Sequence, residues 1–201
     1  MLVDIRKVIA AFVVTAAVLV LSVQFMRMVR PAAAREVAAA CRGLRPAAKN
    51  AAHPQFPTPA KGFSLQDHTG KKVSLEDYKG RVVLVNFWAS WCGVCKSEKP
   101  TLEGLQRDLG GDDFTVLAIA SDKDWSSVKK ALPKGTPLKT LLDPPPNDDS
   151  LLGSLARSYG ITAVPESFLV DKKGVIRRYF VNKRNWNSAV AKTCIRALMD
   201  E

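Results

Sequence analysis

The chain has 201 residues, 47% hydrophobic and 24% charged, with a formal net charge of +11 at pH 7. That is room for one ordinary domain plus a tail, in a composition that buries a core rather than staying disordered. The basic residues are scattered and accompany no nucleic-acid motif, so the charge reads as a lysine-rich soluble surface and no nucleic-acid partner is expected.

The first segment addresses the compartment. Residues 8–26 carry no charge and are dominated by Val, Ala, Leu, Ile and Phe. Nineteen helical residues span about 28 Å, close to a bilayer's hydrocarbon core. Arg6 and Lys7 precede the run, as in a signal or anchor sequence. Residues 1–29 are therefore expected to be an uncleaved membrane anchor. The alternative is a signal peptide cut after Ala34, against which Arg27 and Arg30 stand between the apolar run and the site. Basic residues flank both ends (Arg6 and Lys7 before, Arg27, Arg30 and Arg35 after), so charge alone does not orient the span.

Residues 30–59 read as an Ala/Pro-rich tether. A short helix is expected over 32–44, ended by Pro46, after which Pro54, Pro57 and Pro59 keep the chain extended. Residues 60–201 form the expected domain. Residues 63–66 and 72–75 alternate around Asp67-His68-Thr69-Gly70, a hairpin pattern. The apolar runs at 82–87 and 114–120 predict strands buried on both faces. Residues 124–132 predict a helix, with Trp125, Val128 and Leu132 in step. Leu151, Leu152, Leu155 and Tyr159 mark another, closed by Gly160. Residues 167–170 and 175–180 flank Asp171-Lys172-Lys173-Gly174, a hairpin signal. A last helix starts near Trp186, with Val190, Cys194, Ala197 and Leu198 on one face. This order predicts an α/β fold, a central mixed β-sheet flanked by helices.

The chemistry concentrates in Trp91-Cys92-Gly93-Val94-Cys95-Lys96. The motif follows the strand at 82–87 and precedes a helical pattern with Leu102, Leu105 and Leu109 on one face. A helix start carries unpaired N–H groups and partial positive charge, which stabilise a thiolate. Such settings lower a cysteine pKa from about 8.5 toward roughly 3.5–7.5, and the thiolate is the attacking species. Residues i and i+3 on a helix are neighbours, so the two sulfurs can close into a disulfide. The rival readings are a structural disulfide or half a zinc site; for the latter Cys41, Cys194, His53 and His68 are not paired at ligand spacing, so no metal is expected.

Val85-Asn86-Phe87-Trp88-Ala89-Ser90-Trp91-Cys92-Gly93-Val94-Cys95-Lys96, then Pro100, then Val164-Pro165 ahead of a strand, resembles the thioredoxin superfamily. More narrowly it is similar to the membrane-anchored, extracytoplasmic thiol:disulfide oxidoreductases of the TlpA, ResA and CcmG kind. The resemblance covers the chain from about Phe56 onward, plus the anchor. It implies a thioredoxin-like fold preceded by one transmembrane helix, with the domain on the extracytoplasmic, periplasmic side. It implies Cys92 as nucleophile, Cys95 as resolving thiol, and no cofactor beyond the Cys92–Cys95 disulfide. Pro165 is the expected cis proline, with the Val164 backbone pairing an extended substrate segment and Trp91 on the docking surface; Trp88 is expected in the core. Thioredoxin's buried aspartate, six residues before the first cysteine, is here Asn86, which cannot ionise. Glu98 shares a helical face with Cys95 and matches a glutamate typical of the ResA-like proteins, a proton carrier if buried and a solvated charge otherwise. Glu166 follows Pro165 as in the CcmG-like branch; it is a second proton-handling candidate and is grouped with the substrate-binding turn. Partners implied are protein disulfides, such as cytochrome c apoproteins or copper-site cysteines, and a membrane electron donor of the DsbD/CcdA kind.

Two other functions compete. A peroxiredoxin needs Pro-x-x-x-Thr-x-x-Cys, and Val85 and Ala89 stand where Pro and Thr belong. A copper carrier would use the two thiols as soft ligands. Cys194 reads as a buried inert thiol; the alternative is a disulfide with Cys41 in an oxidising compartment. Lipidation of Cys41 is disfavoured by its distance from the apolar run.

Overall fold

The computed structural model describes residues 5–44 and 57–201, with side chains described outside 27–38. The expected extended stretch around Pro46 and Pro54 lies outside the described residues. The chain divides into two units, Met1–Ala39 and Ala40–Glu201.

The first unit is helical. Helix α1 runs Ile5–Gly43, and its stretch Ile5–Met26 has a mean hydropathy of 2.5 with its side chains exposed. It is long and apolar enough to cross a membrane by length and composition. The apolar run and the short helix expected over 32–44 form one continuous helix, which passes through Pro31 into the Ala-rich stretch. Alanine has the highest helix propensity, and a proline removes only one backbone bond.

The second unit is built on an eight-stranded mixed sheet. Its strands are β1 Thr58–Pro59, β2 Ser64–Asp67, β3 Lys72–Ser74, β4 Val82–Trp88, β5 Phe114–Ala120, β6 Lys139–Leu142, β7 Glu166–Val170 and β8 Val175–Val181. They lie in the order β1-β8-β7-β4-β5-β6-β2-β3. Strands β4, β5 and β6 are parallel, and β7 runs antiparallel to β4. Between them come helices α2 Gly93–Leu109, α3 Trp125–Ala131, α4 Ser154–Ser158 and α5 Ala189–Met199.

Side chains of β4 alternate between two cores, as a pleated strand requires. Val82, Leu84 and Trp88 pack with Leu102 and Leu105 of α2 and Ile195 and Leu198 of α5. Val83, Val85 and Phe87 face Ala156 of α4, Tyr159, Phe168 and Tyr179. Helices thus cover both faces, and β4 and β5 are buried along their whole length.

Several elements differ from expectation. Strand β6 was not expected; its four residues are too short to show a period, and pairing with β5 creates it. Pro59, assigned to the tether, pairs with Val175. Helix α4 begins only at Ser154, because the Asp143 carboxylate accepts the Leu155 and Ala156 N–H groups and fixes the start there, leaving Leu151 exposed. Gly153 at its N-cap is required by close approach, since a Cβ would overlap Asp143. The buried face of α5 is Ala191, Cys194, Ile195 and Leu198: Cys194 and Leu198 are as expected, whereas Ala191 and Ile195 take the places of exposed Val190 and partly buried Ala197. Cys194 is not an inert thiol: it forms a disulfide with Cys41 in the last turn of α1, with Cα atoms 4.8 Å apart.

Candidate active site

Strand β4 ends at Trp88 in the middle of the sheet. The Trp88 carbonyl accepts the Ser121 N–H at 2.8 Å, and a turn from Ala89 to Cys92 then leads into α2. The turn is held from the β5 end: Asp122 accepts the Ser90 N–H at 3.0 Å and its hydroxyl, and Trp91 Nε1 donates to the Ser121 carbonyl at 3.3 Å. Cys92 is the N-cap of α2, its sulfur 3.1 Å from the Cys95 N–H. A cap side chain stands where the free N–H groups and helix dipole converge. The sulfur that would carry negative charge is therefore the one given the N–H donor.

Cys92 and Cys95 are joined as a disulfide, Cα atoms 5.3 Å apart. Cys92 is 7% exposed and Cys95 1%. Around them Trp91 and Val94 are 51% and 47% exposed, an apolar rim. The Val164–Pro165 peptide is cis, and the Val164 carbonyl oxygen lies 3.5 Å from Cys92 Sγ. Residues 72 positions apart thus meet at the leading sulfur. Trp88 packs in the core beneath.

Glu98 lies inside the molecule, 1% exposed, on the inward face of α2 with Cys95. Its Oε1 accepts the Arg184 N–H at 2.7 Å and Trp186 Nε1 at 2.8 Å, and its Oε2 accepts from Asn86 Nδ2 at 3.3 Å. Asn86 also donates to Ser167 Oγ at 2.9 Å. Burial pushes the Glu98 carboxyl above its ordinary value, while the Arg184, Trp186 and Asn86 donors pull back against it. It is a buried carboxyl one helical turn from Cys95, with an affinity for protons above that of a surface glutamate.

Glu166 is not part of the exposed rim. It starts β7, opposite Phe87 and Val181, and its side chain is buried and accepts the Tyr179 hydroxyl. Burial raises its carboxyl as well, partly offset by that hydroxyl. Glu166 shares a face of β7 with Phe168 and Val170, which pack with Tyr179, so its side chain lies in the core and not on the exposed rim with Trp91.

Sequence reasoning missed Trp186 and Arg184 as donors to Glu98, and Ser90–Asp122 as the clamp on the turn. Trp186 precedes α5, whose cap is Ser188, and stacks edge-on against Phe180. Nothing in its local pattern ties it to a glutamate 88 positions earlier. Among the described residues no cluster of three or more His, Cys, Asp or Glu could hold a metal ion.

Residues 51–195, more than half of the chain, match the redoxin family model. Among curated relatives, the chain is 33% identical over 117 residues to the thiol-disulfide oxidoreductase ResA of Bacillus thuringiensis, covering 58% of this chain and 64% of that protein. It is 33% identical over 122 residues to the thioredoxin-like protein YneN of Bacillus subtilis, covering 59% and 66%. The chain spans just under two thirds of the length of these relatives. Of solved structures, it is similar to a thioredoxin-family thiol:disulfide interchange protein from Chlorobium tepidum (TM-score 0.58, 29% identity, 72% of this chain and 99% of that one). It is also similar to the thioredoxin domain of a thiol-disulfide oxidoreductase from Bacteroides vulgatus (TM-score 0.59, 27% identity, 69% and 97%). The mixed sheet, the Cys-x-x-Cys pair capping α2, the cis proline beside it and the family match converge: the chain belongs to the redoxin family of the thioredoxin superfamily.

Proposed function

We propose that this chain is a membrane-anchored thiol:disulfide oxidoreductase that reduces disulfides of extracytoplasmic proteins. The observation that carries the reading is the placement of Cys92: capping α2, more exposed than Cys95, and 3.5 Å from the Val164 carbonyl. In the reduced enzyme the Cys92 thiolate attacks a substrate disulfide. One substrate sulfur leaves as a thiolate and takes a proton, and a mixed disulfide forms. Cys95 gives up its proton and attacks the Cys92 sulfur, so the second substrate sulfur leaves. The substrate gains two electrons and two protons, and the Cys92–Cys95 bond closes. Glu98 accepts the Cys95 proton and passes it to the second departing substrate sulfur, while water supplies the proton taken by the first. The backbone of the Val164 turn pairs with an extended substrate segment, and Trp91 provides apolar contact.

A dithiol of a membrane electron donor, of the DsbD/CcdA kind, reopens the disulfide. An exterior location is supported by the apolar stretch Ile5–Met26 and by the Cys41–Cys194 disulfide, since such bonds persist in oxidising compartments. Residues 1–29 are proposed as the anchor, 30–59 as the tether and 60–201 as the catalytic domain. Cytochrome c apoproteins and copper-site cysteines are the substrates to try first.

The reading is tested with insulin as a probe disulfide and a dithiol reductant: accelerated reduction that depends on both Cys92 and Cys95 is expected, and no acceleration over the reductant alone contradicts it. Trp91→Ala is expected to raise KM by about fivefold to thirtyfold with little change in kcat, the behaviour of an exposed aromatic anchor.

Glu98→Gln is expected to lower kcat at neutral pH by about tenfold to a hundredfold, because a proton acceptor is lost. Its effect on stability has a definite sign. A carboxyl raised by burial favours folding below its ordinary value of 4.5, and that contribution is lost as pH rises through the higher folded value. Denaturant midpoints measured from pH 4 to 8 should fall less steeply with pH in Glu98→Gln than in the wild type, the remaining slope including that of Glu166; parallel curves would contradict the assignment.

A further inference from the structure

We propose that Lys99 is a positioning residue for the leading sulfur: its buried amine, laid over the Trp88 ring beneath the turn that carries Cys92, supplies the positive charge that holds Cys92 as a thiolate in the reduced enzyme. The inference rests on the reading of Cys92 and Cys95 as the exchanging pair and adds a residue that reading does not use.

Lysine is almost never fully buried without a partner. Lys99 is 3% exposed, its Nζ lies 3.0 Å from the Trp88 ring centroid, and no hydrogen-bond acceptor reaches it among the described residues. An ammonium over an indole face is attracted by the ring quadrupole, more strongly when dry. Two neighbours are also unsatisfied: Trp88 Nε1 and Glu103 Oε1. The charged groups acting on the amine are Glu103 and Glu98 on its own helix and Asp122 at the end of β5; β4 contributes only the uncharged ring. Each acid is engaged elsewhere. Glu103 pairs with Arg107 at 3.3 Å, Asp122 holds Ser90, and Glu98 accepts from Arg184, Trp186 and Asn86. The amine is thus attracted from three sides and bonded on none.

Its place in the chain gives it a listener. The Trp88 ring under the amine is buried in the same cluster as Cys92 and Cys95, and Asp122, whose charge acts on the amine, holds Ser90 in the turn that leads to Cys92. Charges in a dry interior act at longer range than in water. Burial brings the amine down to about 7, against the pull of the three carboxylates, so its proton is exchangeable near neutral pH. Reduction then balances as follows. A donor dithiol gives two electrons and two protons and becomes a disulfide, and the Cys92–Cys95 bond breaks. One proton goes to the Cys95 sulfur and one to the Lys99 amine, and Cys92 is left as thiolate opposite an ammonium.

The test uses Lys99→Met, which keeps the stem and removes the charge, and Lys99→Gln as a second neutral variant. In reduced protein, alkylation of Cys92 by iodoacetamide is followed against pH. In both variants the midpoint should rise and the rate at pH 6 should fall by about threefold to tenfold, whereas Lys99→Arg should keep the wild-type profile. A role in packing alone would alter the melting temperature and leave the profile unmoved. Neutral variants whose profiles superimpose on a depressed wild-type profile overturn the inference and leave the proposed function standing. A wild-type profile at the ordinary thiol value overturns the proposed function, and the inference with it. Tryptophan emission gives an independent readout: a step near neutral pH should be present in the wild type and missing in Lys99→Met, and its persistence there contradicts an ammonium over Trp88.

Discussion

Cys95→Ser, mixed with a disulfide-bearing protein, is expected to stall as a covalent adduct through Cys92, with turnover down by about three orders of magnitude or more. The asymmetry of the site requires this outcome. Cys92 is the more exposed of the two, stands at the helix N-cap and faces the Cys95 N–H, so the proposal makes it the attacking sulfur. Cys95 is buried behind it and acts only on the mixed disulfide. Without the second sulfur the first step proceeds and the second cannot. Cys92→Ser should lose turnover to the same extent yet form no adduct. Non-reducing electrophoresis with a chosen substrate reads both results, and equal adduct yields from the two variants would contradict the assignment of roles.

The second large effect concerns the other disulfide. Cys41 and Cys194 are 153 positions apart, and both are buried in the apolar cluster that includes α2 and α5. A link across so long a loop removes much of the unfolded chain's freedom, with a chain-entropy ceiling of about 5 kcal/mol. Cys41→Ser is expected to cost about 2–5 kcal/mol and lower the melting temperature by about 10 °C, measured in detergent by thermal and denaturant unfolding. Trp186 and Glu98 sit near α5 but are held by their own hydrogen bonds, so turnover at 25 °C should change little. An unchanged unfolding midpoint would show that the bond does not constrain the fold.

How far the sequence anticipated this molecule depends on the range of the interaction concerned. Strands β4 and β5 were legible because a run of residues buried on both faces is apolar throughout. The Cys92–Cys95 pair was legible because its chemistry is set by four consecutive residues at a strand-to-helix junction. Strand β6 was not, since four residues carry no usable period and their identity comes from pairing with β5. The face of α5 was half legible: Cys194 and Leu198 are buried as expected, but Ala191 looks neutral in sequence, and only its packing in the core separates it from exposed Val190. Glu98 was correctly placed beside Cys95 by helical spacing, but its burial depends on Asn86, Arg184 and Trp186 from three other parts of the chain. Glu166 was grouped with the docking turn by adjacency to Pro165, while the pleat of β7 turns it inward to Tyr179. Lys99 gave no signal, because a lysine on a helix reads as solvated until the Trp88 ring is seen above it.

Central to the proposal is the expectation that Cys92, at the N-cap of α2, ionises more readily than an ordinary thiol once the disulfide is reduced. Alkylation of the reduced wild-type protein, followed from pH 4 to 10 with Cys95 distinguished by peptide mapping, reads that property directly. We expect a midpoint for Cys92 at least about one unit below 8.5, with Cys95 titrating well above it. Two sulfurs that titrate together near 8.5 would contradict the account.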